Sequence, residues 1–136
     1  MKNKTTQASI DFLSEIQRAI NYEEMAYEQR AELSKKHICF CLHQSIEFTF
    51  KSISKYLRGY VTKTHSLYML NENIRECAPQ FYKIFSEDRY LLILLDKLYS
   101  NSQFSLDDLV ISEEILLNLF VKVALLHEAS NNLINI

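Results

Sequence analysis

Apolar residues recur three or four positions apart along most of the chain, which is the spacing of one face of an α-helix. In the first segment, which begins at Ser9, they are Ile10, Leu13, Ile16 and Ile20. In the longest segment, residues 37–58, they are Ile38, Phe40, Leu42, Ile46, Phe50, Ile53 and Leu57. The pattern predicts two amphipathic helices with these side chains turned inward, the second ending at Gly59 in a left-handed conformation.

Residues typical of helix starts divide the rest of the chain. Thr64 is predicted to cap a helix, and Pro79 to occupy the first position of a short one. Ser86 opens the segment that contains YLLILLDKLY, and Ser112, followed by two glutamates, caps the last helix. Residues 101–108 between them are predicted to form a loop. The side chains expected to face inward here are Leu67, Leu70, Ile74, Ile115, Leu116, Leu119, Phe120, Val123 and Leu126.

These elements predict one all-α domain over residues 1–136, an antiparallel up-and-down helical bundle of about five helices with a frayed start at residues 1–5. A length of 136 residues suits one core rather than two. The chain has a single Gly and a single Pro, which favours helices because sheet folds use both residues at their turns. This scarcity also excludes Gly-rich phosphate-binding loops.

Charge and cysteine content limit the cellular environment and the kinds of binding partner that the sequence predicts. The formal net charge of −2 does not indicate a broad basic surface for nucleic acid. A local basic strip stays open as an alternative, although such a run of charges is more often a solvated face; the residues are Lys35, Lys36, Lys51, Lys55, Arg58 and Lys63. The odd number of cysteines (Cys39, Cys41 and Cys77), with no secretory signal, predicts a cytoplasmic protein whose cysteines stay reduced. The apolar runs are too short to span a membrane, so no membrane partner is expected.

A row of polar side chains interrupts the apolar pattern of the long helix. Gln44, Glu47, Lys51 and Lys55 are spaced by three, four and four residues, and His43 precedes Glu47 by one helical turn. One interpretation is a solvated helix edge whose ion pairs each contribute roughly a few tenths of a kcal/mol. The other is that an amide, a carboxylate and an ammonium group project into a cleft and bind a polar ligand.

The pattern predicts neither a metal site nor a classical catalytic site. His43 and Glu47 offer at most two metal ligands, so no metal and no cofactor is expected. No Ser–His–Asp or Cys–His arrangement has a local signature, because the histidines are scattered at His37, His43, His65 and His127.

The stretch HICFCLHQSIEFTFKSISKYLRGYVTKTHSLYML resembles the core of the HEPN domain family, named for higher eukaryotes and prokaryotes nucleotide binding. Members carry a helix of the form F-x-x-HQ-x-x-E-x-x-x-K, then a G-Y turn, then T-H-x-L. The matching residues are Phe40, His43, Gln44, Glu47, Lys51, Gly59, Tyr60, Thr64, His65 and Leu67. A second segment is similar to the family's later half through Leu95, Tyr99, Ile111, Ser112, Glu113 and Glu114. The resemblance covers roughly residues 30–130.

The chain is most similar to the HEPN half of bacterial proteins that join a nucleotidyltransferase to a HEPN domain. The resemblance implies a HEPN-type bundle and a noncatalytic module that forms a homodimer and binds a nucleotide or a nucleotidyltransferase partner. The implied ligand-binding residues are His43, Gln44, Glu47, Lys51 and His65. Relatives have Arg-Tyr where this chain has Gln103 and Phe104. If that position holds nucleotide, binding should be weaker here, because Gln cannot make the charged bidentate contact of Arg.

Two alternative functions stay open. Many HEPN proteins resemble metal-independent ribonucleases, in which an Arg stabilises the phosphate and a His, separated from it by four to six intervening residues, transfers a proton. Arg58 and His65 have this spacing, as do Arg30 and His37, but neither pair lies late in the chain, where the motif usually falls. RNA is a partner only under this alternative. The other alternative is a decayed HEPN scaffold that acts only in protein–protein interaction.

Overall fold

The computed structural model describes residues 7–100 and 111–134, and all regular structure in these two ranges is helical. Its helices are α1 (Gln7–Glu28), α2 (Lys35–Arg58), α3 (Leu67–Asn73), α4 (Pro79–Tyr82), α5 (Arg89–Ser100) and α6 (Glu113–Ile134). A 3₁₀ turn, Lys83–Phe85, follows α4. The described ranges confirm the all-α class. The predicted frayed start at residues 1–5 and the predicted loop at 101–108 lie outside them.

Helices α1 and α2 are antiparallel and share the most extensive contact in the described part of the chain. Near the start of α1, Phe12 packs on Tyr56, with ring centroids 4.9 Å apart. Further along α1, Tyr22 stacks on Phe48, at an earlier position of α2. Contacts that advance along one helix while they retreat along the other define opposite directions.

Helix α2 lies at the centre of the bundle, where it contacts α1, α3, α5 and α6. Helix α5 runs antiparallel to α2, because Tyr99 pairs with Phe40 while the earlier Asp96 pairs with His43. Helix α6 runs antiparallel to α1 by the same criterion; the contacts are Glu23 with His127 and Tyr27 with Phe120. The long helices α1, α2, α5 and α6 therefore alternate in direction.

The buried faces follow the predicted stripes except at their edges. In α1 the buried residues are Ser9, Phe12, Ile16, Ala19 and Ala26, whereas Ile10 and Leu13 are largely exposed. Ile10 and Leu13 each follow a buried residue by one position, which is about 100° around the helix and outside the buried face. Phe40 and Leu57 of α2 were also expected to face inward, and both are exposed.

Several predicted helix ends are confirmed. Gly59 ends α2 with φ of 82°, and its N–H donates to the Lys55 carbonyl at 2.9 Å. Pro79 is the first residue of α4. The Ser112 hydroxyl accepts from the N–H of Ile115 and caps α6.

Two predicted helix starts are wrong. Ser66, rather than Thr64, caps α3, because its hydroxyl accepts from Met69 N while Thr64 accepts from Ser66 N and shapes the preceding turn. Helix α5 begins at Arg89, because the Ser86 hydroxyl donates to the Lys83 carbonyl and closes the 3₁₀ turn instead.

Two of the three cysteines belong to the core of the bundle. Cys39 and Cys41 are buried, and burial raises the pKa of the Cys41 thiol. None of the helices in the two described ranges combines the length and apolar character needed to cross a membrane.

Candidate functional site

The polar row of α2 extends from buried to solvent-exposed positions. His43 and Glu47 are buried, Gln44 and Lys51 are partly buried, and Lys55 is exposed. The row is therefore not a solvated helix edge throughout. Its inner members face α5 and the segment that leads into α3, and this packing builds the site.

Glu47 is the centre of the arrangement. One carboxylate oxygen, Oε2, accepts hydrogen bonds from Lys51 Nζ and from His65 Nδ1, each at 2.8 Å. A carboxylate can only accept here, so Nδ1 of His65 carries a proton. The Glu47 side chain is 7% exposed, whereas those of Lys51 and His65 are 26% and 68% exposed. A buried anion therefore holds two donor groups that reach solvent.

His43 lies beneath this layer and between two carboxylates. Its Nε2 is 3.2 Å from Asp96 Oδ1, and its Nδ1 is 3.5 Å from Glu47 Oε1. Both His43 Nδ1 and Glu47 Oε1 are buried, and neither has a hydrogen-bond partner among residues 7–100 and 111–134. These two atoms face one another, so a small movement would allow a hydrogen bond to form between them. Tyr99 stacks on the His43 ring at 4.1 Å with planes 7° apart, which fixes its orientation.

Asp96 ties α5 to the start of α3. Its Oδ1 accepts from the N–H of Leu67 at 2.7 Å, and its Oδ2 accepts from Tyr68 N and Ser66 Oγ. Burial alone would raise the pKa of Asp96, but the hydrogen bonds from His43, Leu67, Tyr68 and Ser66 outweigh it and lower the pKa below the ordinary value. Asp96 is therefore charged at neutral pH.

The implied ligand-binding residues thus occupy different layers. His43 and Glu47 are interior groups that position Lys51 and His65 at the surface. Gln44 is partly exposed, and its side chain makes no hydrogen bond within the part of the chain that the structure describes. Among residues 7–100 and 111–134, no group of three or more His, Cys, Asp or Glu side chains is arranged to hold a metal ion.

The two Arg–His pairs with ribonuclease-like spacing have separate partners. Arg58 donates to the Asn73 carbonyl and to Ser54 Oγ. Its guanidinium also lies 4.5 Å from the centroid of the Tyr60 ring. His65 is bound to Glu47, and within the described ranges no hydrogen bond or ion pair joins it to Arg58.

The second pair is likewise divided. Arg30 stacks on Tyr27 at 3.8 Å from the ring centroid, while His37 contacts the Ser34 hydroxyl that caps α2. Residues 7–100 contain no hydrogen bond or ion pair between Arg30 and His37.

Sequence reasoning missed Asp96. The residue lies in LLDKLY, one turn after Leu92 and one turn before Tyr99, and its neighbour Leu95 is buried. An acidic residue on the inward face of an apolar helix needs partners, and this was the available signal. The sequence indicates Tyr99 only through its match to the family pattern.

A second buried polar cluster joins α1, α2 and α6. His127 Nδ1 is 2.7 Å from Glu23 Oε1, and His127 Nε2 is 3.0 Å from Ser45 Oγ. The order of acid, imidazole and hydroxyl is that of hydrolytic triads. However, Ser45 is fully buried and donates to the Ala19 carbonyl at 2.6 Å, so no substrate reaches it. The members of this cluster lie on three different helices, so no spacing within one helix predicts it.

Comparison with known proteins adds no relative to this picture: no family model matches the chain, and no curated protein matches it significantly. The HEPN resemblance stays a prediction that depends on the motifs in the sequence.

Proposed function

We propose that this protein is a noncatalytic HEPN-type module that binds a nucleotide through the exposed side of Lys51 and His65. The observation that supports the proposal is the sharing of one buried Glu47 oxygen by these two donors, each at 2.8 Å. A nucleotidyltransferase partner and a homodimer, which the resemblance also implies, stay predictions.

The arrangement suits a phosphate group because it places hydrogen-bond donors at the surface. The Lys51 ammonium has three donors and gives one to Glu47, so two others can bind phosphate oxygens. His65 donates its Nδ1 proton to Glu47, and its side chain is 68% exposed. Its second nitrogen, Nε2, donates to a phosphate oxygen when the ring carries a proton on both nitrogens. Because Glu47 already orders both side chains, binding an anion costs less conformational entropy than it would with free side chains.

The inner layer explains why buried charges are kept beneath such a site. His43 lies between Glu47 and Asp96, and Asp96 is anchored by two backbone N–H groups of α3. Groups that support a binding residue in this way fix its position and do not contact the ligand. Under this proposal, His43 and Glu47 position the site, whereas Lys51, His65 and Gln44 contact the nucleotide.

A thermal-shift titration with ATP, GTP, CTP and UTP, with and without Mg²⁺, tests the proposal. Ligand at a hundredfold excess over Kd stabilises the fold by about 2.7 kcal/mol, a shift of several degrees. Lys51→Ala should abolish the shift, measured against the variant's own unliganded melting point. Lys55→Ala is the matched control, because Lys55 lies one turn further along α2 and pairs only loosely with Glu15 at 3.7 Å. The absence of a shift in the unmodified protein, or an equal shift in Lys51→Ala, would overturn the proposal.

The ribonuclease alternative has its own measurement. Incubation with a labelled single-stranded RNA, without added metal, should leave the RNA intact if the module only binds. Cleavage that disappears in His65→Ala, and also in Arg58→Ala, would replace the proposed function with ribonuclease activity.

A further inference from the structure

The face of α2 that carries the site continues one turn toward the start of the helix and ends in an aromatic ring. Phe40, His43, Glu47 and Lys51 are spaced by three, four and four residues, so they lie along one line of the helix surface. Phe40 is 45% exposed. It stacks on Tyr99 of α5, with ring centroids 5.6 Å apart and planes at 11°.

A cavity of about 420 Å³ opens beside this ring pair. Its walls are mainly apolar, and basic side chains border it; the principal lining residues are Lys36, His37, Cys39, Phe40, Leu98 and Tyr99. This volume falls within the range of small-molecule pockets, roughly 300–1,000 Å³. An apolar wall that includes aromatic rings suits a planar ring that can stack on them.

Tyr99 is common to the cavity and to the proposed phosphate site. Its ring lines the cavity, stacks on His43 at 4.1 Å and lies 5.7 Å from the His65 ring. Along α2, the seven residues from Phe40 to Glu47 correspond to about 10 Å. The cavity and the Lys51–His65 pair are therefore adjacent parts of one surface.

We propose that this cavity receives the base of the nucleotide and that the base stacks on Phe40 while the phosphates bind Lys51 and His65. The inference rests on the proposed function and adds the position of the base. Stacking on an aromatic ring accepts every base, because each has a π-face. Recognition of the base in this cavity is therefore expected to be broad, with the triphosphate supplying the common anchor.

Isothermal titration calorimetry with ATP, GTP, CTP, UTP and inorganic triphosphate tests the position of the base. Phe40→Leu should weaken nucleotide binding about tenfold and leave inorganic triphosphate unaffected, because only the stacking surface is lost. Phe40→Trp should restore nucleotide affinity. Phe48→Leu is the matched control: Phe48 lies on the same helix and stacks on Tyr22, away from the cavity.

The outcomes separate this inference from the function on which it rests. Unchanged nucleotide affinity in Phe40→Leu, or equal affinities of the unmodified protein for nucleotides and inorganic triphosphate, would overturn the base position alone. Equal weakening of nucleotide and inorganic triphosphate in Phe40→Leu would also overturn it, since Phe40 would then act through the fold. Failure of the unmodified protein to bind any nucleotide would overturn both proposals.

Discussion

Replacement of Asp96 by Asn is the sharpest test of the inner layer of the site. The two carboxylate oxygens accept from His43 and Leu67 at Oδ1, and from Tyr68 and Ser66 at Oδ2. An amide has nearly the same shape but keeps only one acceptor oxygen. In Asp96→Asn, its NH₂ group would therefore face a backbone N–H wherever it was placed, that of Leu67 at one position or that of Tyr68 at the other.

The expected loss follows from the number of hydrogen bonds. Hydrogen bonds to a charged group contribute about 1.5–3 kcal/mol each and neutral ones about 0.5–1.5 kcal/mol, so one bond is lost and the others weaken when the charge is removed. The Asp96 side chain is 21% exposed, so water relieves part of the cost and favours the lower end of this range. We expect the free energy of unfolding to fall by about 3 kcal/mol. The matched control, Asp88→Asn, removes one ion pair with Lys122 and should cost below about 1 kcal/mol.

Urea denaturation followed by circular dichroism provides the measurement, and pH provides a second readout. Because folding lowers the pKa of Asp96, its charged form stabilises the fold above the ordinary value of 3.8, and this contribution is lost as the pH falls through the lower folded value. The difference in free energy of unfolding between the unmodified protein and Asp96→Asn should have its full size at neutral pH and should decrease below pH 3.8. A loss no larger than that of Asp88→Asn, or a difference that does not change with pH, would refute this account.

Two further predictions concern stability. Gly59→Ala should lower the free energy of unfolding, measured by urea denaturation, by about 1–2 kcal/mol. The cause is backbone strain alone, because φ is 82° and an added Cβ meets no atom within 4 Å. An unchanged free energy of unfolding would contradict this prediction. His127→Leu leaves Glu23 without its imidazole partner and should cost about 3–5 kcal/mol. In a double-mutant cycle with Glu23→Gln, strictly additive losses would show that the two side chains are not coupled.

The sequence predicted the parts of the site that depend on one helix. Glu47 and Lys51 are four residues apart in the favourable order, and the structure joins them at 2.8 Å. His65 was predicted as a site residue only from the family resemblance. Its contact with Glu47 spans the turn after α2, so no helical spacing indicates it. Asp96 and Tyr99 come from α5, and no local spacing connects them with His43.

What the sequence alone determined is local: the helices, the end of α2 at Gly59, the cap at Ser112 and most of the buried apolar positions. Periodicity defines the faces of a helix, and capping side chains act within one turn of it. Which neighbour covers each face depends on the tertiary packing. In this fold that packing buries His43 between two carboxylates, leaves Phe40 exposed beside a cavity and brings Ser45 into contact with His127. Such contacts depend on how the helices pack, because residues far apart in the chain meet only when the bundle is assembled.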